Sequence, residues 1–167
     1  MSLPPSATPA ATAESDAGAA QAARRQRLAL LARADRALLQ AAWDALADRP
    51  GFRHLKQPET GLAMIRARAG GNGQRFNFGE MTVTRCVVAL DGDGQAMGVG
   101  YVQGRDRRKA ELVALFDALA QDPARRPAID AAVIRPTEAA LAERRAMRAS
   151  KVAATKVDFF TLVRGED

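Results

Sequence analysis

A chain of 167 residues is long enough to bury a sizeable core and short enough to form one domain. Its composition, 47% apolar and 26% charged, excludes a low-complexity or fibrous protein and fits an ordinary soluble globular fold. A net charge of +6 with a single cysteine excludes an internal disulfide, fits a reducing compartment and points to an anionic partner. Arginine supplies 21 of the 25 basic residues, and its planar fork grips phosphate and carboxylate in a way that lysine does not. The same Arg and Ala enrichment is also what a GC-rich genome produces, so total charge by itself carries little weight.

Residues 1–20 are small and polar with Pro and Ser, and are expected to form a disordered tail ahead of a single domain over 21–167. From Gln21 to about Asp48 the spacing of Leu28, Leu31, Leu38, Leu39, Ala42 and Leu46 predicts helix. Asp35 stands where it would cap a second helix, and Trp43 reads as core or interface packing. Asp48, Pro50 and Gly51 end this segment in a turn.

The middle of the chain reads as β. Residues 61–69 alternate, with Ala63, Ile65 and Ala67 on one face and Leu62, Met64, Arg66 and Arg68 on the other. Residues 80–90 form a second strand, with Met81, Val83, Arg85, Val87 and Ala89 on one face and Thr82, Thr84, Cys86, Val88 and Leu90 on the other. The turn residues DGDG at 91–94 lead into a third strand over about 96–103. Short links between successive strands imply an antiparallel sheet. Asp106 is then a candidate N-cap, followed by a stripe of Leu112, Leu115, Phe116 and Leu119, and Pro123 stops that helix. A short helix is expected over 128–134 and a longer one, capped by Thr137, to about Lys156. On the latter a seam of Ala139, Ala142, Ala146, Ala149 and Ala153 would permit close helix contact. Arg144, Arg145, Arg148 and Lys151 make a basic face that is either solvated or a partner surface. The apolar terminus, 157–167, is expected to be a strand or extended arm docked to a sheet or partner. The fold class is therefore α+β: N-terminal helices, an antiparallel sheet of at least three strands, then helices and a C-terminal arm.

The stretch GGNGQRF at 70–76 invites comparison with phosphate-binding loops, but it lacks the third glycine of GxGxxG and precedes a strand instead of a helix. No P-loop is present. DGDG begins like a calcium loop, yet Gln95, Ala96 and Val102 stand where a ligand, the glycine and the bidentate Glu belong. His54 and Cys86 are the only residues of their types, which argues against a Cys/His nucleophile pair or a zinc site. No catalytic residues and no metal ligands are assigned. The remaining constellation is arginine: Arg66 and Arg68 on one strand, Arg75 in the loop, Arg85 interrupting an apolar face, and Arg105 nearby. As a structural feature Arg85 would pair with Glu80 or Asp106. As a functional one, Arg66, Arg68, Arg85 and Arg105 would line an anion or partner pocket, aided by backbone N–H groups from Gly71 to Gly73.

Three blocks, GGNGQRFNFGEMTVTRCVVAL, GYVQGRDRRKAEL and VDFFTLVRGE, resemble the G subunit of the bacterial carbon–phosphorus lyase system, the PhnG family, from about Ala23 to Glu166. The resemblance implies an accessory, non-catalytic subunit of a phosphonate-degrading assembly. Its partners would be PhnI-, PhnH- and PhnJ-type subunits with PhnK- and PhnL-type ATPases. That assembly displaces adenine from MgATP with a phosphonate, giving a ribose 1-phosphonate 5-triphosphate. MgATP is then a substrate of the complex, and this chain alone binds no cofactor. The terminal block makes Asp158, Phe159, Phe160 and Arg164 candidate partner contacts. Members often carry His at the positions of Val99 and Lys109, and neither imidazole is present here; in a working assembly neither would then be a required acid–base group. The competing readings are a purely structural scaffold and a nucleic-acid-binding protein, the latter disfavoured because no aromatics interleave with the basic helix face. No apolar run approaches a membrane span and the opening residues lack a secretory leader, so a cytoplasmic location is expected.

Overall fold

The computed structural model describes residues 9–92 and 96–155, with side chains from residue 18 onward. The expected C-terminal arm, including Asp158, Phe159, Phe160 and Arg164, lies outside the described residues. Helix α1 (Pro9–Leu31) begins well before the Gln21 start expected from its apolar periodicity. The added residues are rich in alanine, whose helix propensity needs no apolar stripe to express itself. Helix α2 (Arg36–Asp44) follows a short turn, and the Asp35 carboxylate accepts the Ala37 N–H as the expected N-cap, at 2.7 Å.

Three strands form one antiparallel sheet in the order β1 (Phe52–Arg68), β2 (Arg75–Leu90), β3 (Met97–Gln103). Strand β1 is nine residues longer at its start than alternation suggested, because two irregularities conceal it. The register slips between His54 and Lys56 and again between Lys56 and Glu59, so the period of two is broken twice. Pro58 sits in the second slip, and β1 is an edge strand, where a missing N–H costs no ladder bond. Strand β2 also starts earlier than expected, at Arg75, which places Arg75, Phe76 and Phe78 on the strand and not in a long loop.

Helix α3 (Arg107–Leu119) crosses the sheet and is capped as expected, the Asp106 side chain accepting the Lys109 N–H at 2.9 Å. Only one apolar stripe was expected, yet every residue from Leu112 to Leu119 is buried. The sheet covers one side of α3, while α1 and α2 pack against the rest. On the sheet side the packing is backbone against backbone. A Cβ on Gly100 would lie 3.0 Å from Ala114 N, 2.9 Å from Ala110 C, and closer still to Ala110 O. A Cβ on Gly98 would be 2.7 Å from Ala118 N and 2.8 Å from Ala118 Cβ. Two glycines on β3 and three alanines on α3 thus let strand and helix approach as no larger pair could.

Trp43 joins the layers, its ring edge-on to Phe52 and to Phe116 at 6.3 Å each. The core it belongs to includes Leu31, Leu39, Val88, Val102, Leu115 and Val133, all fully buried. The buried Thr84 hydroxyl donates to Gly104 O at 2.7 Å and touches the Thr60 hydroxyl at 3.1 Å, so its burial leaves no polar atom unmatched.

Asp117 is the buried acid of α3, its carboxylate only 3% exposed. It accepts from Arg24 Nε at 3.0 Å, Arg24 Nη2 at 2.7 Å and the Val99 N–H at 3.0 Å. Arg24 and Gln121 also donate to Met97 O, at 3.1 and 2.6 Å. These side chains bind α1 to the sheet and occupy part of the outer edge of β3, which would otherwise invite strand pairing.

After a turn over residues 120–125 the chain is helical from Arg126 to Ala154: α4 (Arg126–Ile129), a π-helical turn (Asp130–Ile134) and α5 (Arg135–Ala154). The expected break at Thr137 does not occur. The Thr137 hydroxyl donates to Val133 O, four residues back, at 2.7 Å, satisfying itself along the helix in place of capping one. Beyond Thr137, only Leu141 of α5 is even half-buried, so the alanine seam and the Arg144, Arg145, Arg148 and Lys151 face are both exposed. Among the described residues no helix is long and apolar enough to cross a membrane.

Candidate functional site

The β1–β2 hairpin runs out beyond the helical layer, and its tip gathers the arginines. Ala69 to Gln74 make the turn. Gly70 and Gly71 have φ of 57° and 80°, a left-handed pair that side chains disfavour. Gly73 donates its N–H to Ala69 O at 2.9 Å, and a Cβ there would sit 2.5 Å from that oxygen. The Gly73 N–H is therefore committed to closing the turn and is not free to aid an anion pocket.

An open cleft of about 420 Å³ lies at this tip, lined by Arg66, Arg68, Asn72, Gly73, Gln74 and Arg75. Arg66 and Arg68 come from one face of β1, and Arg68 stands directly opposite Arg75 of β2. Like charges directly opposed across strands are destabilising. Among the described residues no carboxylate lies within ion-pair distance of these three side chains. Glu80, on the same face opposite Met64, does not reach them. Beside the cleft the hairpin carries exposed apolar groups: Leu62, Met64, Phe76 and Phe78. The two phenyl rings meet edge to face at 6.3 Å. Phe78 is the extra residue where the register slips between Ile65 and Arg66, and such a bulge turns a side chain out of the regular pleat.

Of the residues singled out in the sequence, the structure brings Arg66, Arg68, Arg75 and Gly73 together. Gly71 shapes the turn without lining the cleft. Arg105 is exposed at the junction of β3 and α3 and does not join it. Arg85 lies in the middle of the open sheet face, opposite Glu59. Its Nε and Nη2 both contact Glu59 Oε1, and Lys56 Nζ lies 3.2 Å from the same oxygen. The Arg85 hydrogen bond, then the Lys56 one, hold the Glu59 carboxyl below the usual carboxylate range. The expected partner was Glu80 or Asp106. Glu80 points to the opposite face, and Asp106 caps α3 and lies 3.8 Å from Arg36.

The remaining reactive groups are built into the fold. His54 Nε2 meets Glu111 Oε2 at 3.0 Å, and Arg108 engages the other Glu111 oxygen. Cys86 is buried, and desolvation, with a smaller effect from the Glu111 charge, pushes its thiol up to about 11. Lys109 shares a second basic pocket with Arg33, Gln103 and Arg144, and burial holds its ammonium below the ordinary lysine range. Among the described residues no group of three His, Cys, Asp or Glu side chains is placed to hold a metal ion. Sequence reasoning missed two features, the Asp117 hub and the exposed Phe76–Phe78 pair. A signal for the first was a lone acid within LVALFDALA. A signal for the second was two Phe separated by Asn, outside any apolar run.

The family profile described as "Phosphonate metabolism protein PhnG" matches residues 22–165. The chain is 46% identical over 158 residues to the "Alpha-D-ribose 1-methylphosphonate 5-triphosphate synthase subunit PhnG" of Rhizobium meliloti (strain 1021). That alignment spans 95% of this chain and 98% of the relative.

Proposed function

The chain belongs to the PhnG family of phosphonate metabolism proteins, and we propose from that premise that it is an accessory subunit of ribose 1-methylphosphonate 5-triphosphate synthase. The observation that carries the reading is the relative of that name, 46% identical across nearly the full length of both chains. In the proposed reaction a phosphonate oxygen attacks C1′ of the ribose of MgATP. A C–O bond forms there, the C–N bond to adenine breaks, and adenine leaves with a proton. The proposed partners are the PhnI- and PhnH-type subunits with a PhnL-type ATPase for this step, and PhnJ- and PhnK-type proteins in the wider assembly. A cytoplasmic setting, where MgATP is available, belongs to the same reading.

Within such a complex this chain contributes shape and contacts, and the transfer chemistry resides elsewhere. Its titratable groups support that division. His54 is held by Glu111, Asp117 by Arg24 and the Val99 N–H, and Arg85 by Glu59, so each is already committed to packing. MgATP is accordingly a substrate of the assembly and not a ligand of the isolated chain.

The test is reconstitution. The other synthase subunits are mixed with and without this chain, and adenine release from MgATP is followed with methylphosphonate present. Release that depends on the chain, with none from the chain alone, supports the reading. Full activity without it refutes the subunit role, and adenine release by the chain alone refutes the non-catalytic one.

A further inference from the structure

We propose that the distal half of the β1–β2 hairpin, residues 61–82, is a docking finger. It inserts into a protein cleft that presents carboxylates to Arg66, Arg68 and Arg75 beside an apolar wall. The inference rests on the subunit reading above and names the surface through which the chain joins its assembly.

Three independent observations converge on it. The first is that the finger lacks a covering layer. Strand β2 is largely buried from Val83 to Ala89, where α3 lies, but exposed at Arg75 to Phe78, and β1 alternates between exposed and half-buried from Leu62 to Arg68. A two-stranded ribbon without a third strand or a helix is marginal in water.

The second is what the ribbon exposes. Leu62 is 67% and Phe78 70% exposed, with Met64 and Phe76 about half exposed. Scattered apolar groups are normal on a surface, but a cluster rimmed by polar residues marks an interaction site. Leu62 and Met64 share a face with Arg66 and Arg68, whereas Phe76 lies opposite Ala67 on the reverse face. With apolar groups on both faces, the complementary shape is a cleft and not a flat patch.

The third is charge. The Arg68–Arg75 opposition costs stability in the isolated chain, and among the described residues no carboxylate offsets it. A carboxylate pair from outside would convert that repulsion into two-pronged attraction. Arginine, methionine and aromatic residues together are the composition of interface centres. A second copy docking tip to tip would set guanidiniums against guanidiniums. A free phosphate or a nucleic-acid backbone would satisfy the arginines but leave the four apolar side chains in water.

The experiment uses the full chain with the other synthase subunits. Hydrogen exchange of residues 61–82 is compared in the free chain and the assembly, and assembly is titrated for the unaltered chain and three variants. These are Arg75→Glu, the triple Arg66→Glu/Arg68→Glu/Arg75→Glu, and the triple with Lys at the same positions. The expected result is exchange slowed at least about tenfold on assembly, and binding weakened at least about tenfold by charge reversal. The Lys triple should retain most of the binding. Arg75→Glu should leave the free chain as stable as before or more so, because it turns Arg68–Arg75 into an attractive pair, so its weaker assembly cannot be ascribed to misfolding. Unchanged exchange and unchanged binding in a chain that still assembles overturn the finger and leave the subunit reading standing. Full protection of 61–82 in the free chain overturns it too, since the finger would then be covered from within. So does a charge-reversal loss confined to duplex DNA or inorganic triphosphate, with assembly intact. Failure of the unaltered chain to assemble or to affect adenine release sinks the subunit reading, and the finger with it.

Discussion

Gly100→Ala should be among the most damaging single-methyl changes this fold can suffer. The added Cβ would press on Ala110 O, 2.9 Å from Ala110 C and 3.0 Å from Ala114 N. All three are backbone atoms of α3, which cannot swing aside as a side chain can. To restore contact, helix and strand must part by roughly 1 Å, and a gap of that size forfeits a quarter to a half of each dispersion contact along the seam. Replacing a strand glycine by alanine otherwise gains about 0.5–1 kcal/mol of conformational entropy. Overpacking a tight core costs about 1–3 kcal/mol, occasionally more, and the rigid neighbours here place the cost at the upper end. The steric term therefore wins, with a net loss of about 2 kcal/mol or more. For a chain of this size that lowers Tm by roughly 4–8 °C, measured by calorimetry on the purified full chain. Gly61→Ala is the control, since nothing lies within 4 Å of its Cβ, and it should be neutral or slightly stabilising. A Gly100→Ala Tm within about 2 °C of the unaltered chain, or a Gly61→Ala loss of equal size, would falsify the close-approach argument.

Removing the Asp117 carboxylate as Asp117→Ala should cost about 2–3 kcal/mol, because Arg24 and the Val99 N–H lose their common acceptor. Urea unfolding should show the lower midpoint, and hydrogen exchange should show α1 loosening first; an unchanged midpoint contradicts the hub. Arg75→Glu should raise urea stability by about 0.2–1 kcal/mol, and a clear loss would show that Arg68 and Arg75 do not repel in the free chain. Cys86 should resist alkylation in the folded protein. With its thiol pushed up to about 11, about one molecule in a thousand carries thiolate at pH 8, so rapid stoichiometric labelling of native protein argues against its burial. The linked effect on stability has a definite sign. The folded thiol holds its proton more tightly than the ordinary value of 9.0, so the Cys86 contribution is intact below pH 9 and is lost as pH rises from 9 through about 11. Cys86→Ala should blunt that alkaline loss in denaturant titrations across the same range.

Local features of the fold were legible because their causes are local. Asp35 and Asp106 cap helices through bonds to residues two and three positions on, and β alternation correctly separated Ala63, Ile65 and Ala67 from Leu62, Met64, Arg66 and Arg68. The antiparallel order followed from short links. Where the reading failed, a distant element had intervened. Strand β1 was truncated because bulges break the two-residue period, and a bulge is defined by its partner strand. The break expected at Thr137 was absent because the buried packing of Val133, Ile134 and Thr137 favours a continuous helix over the local capping option. Arg85 found Glu59 because register sets the two opposite one another, and register depends on the sum of many pairings.

The candidate site divides along the same line. That Arg66, Arg68 and Arg75 flank a glycine turn is written in the chain, and so is the family to which the chain belongs. That Arg68 opposes Arg75, that Gly73 has no N–H to spare, and that two phenyl rings stand in solvent beside them are consequences of hairpin register and of where α3 ends. Residue types, helix caps and strand faces act over a few residues and can be read from the chain alone. Which charges are offset and which apolar groups stay bare is set by the fold, because both depend on what another segment brings within a few ångströms.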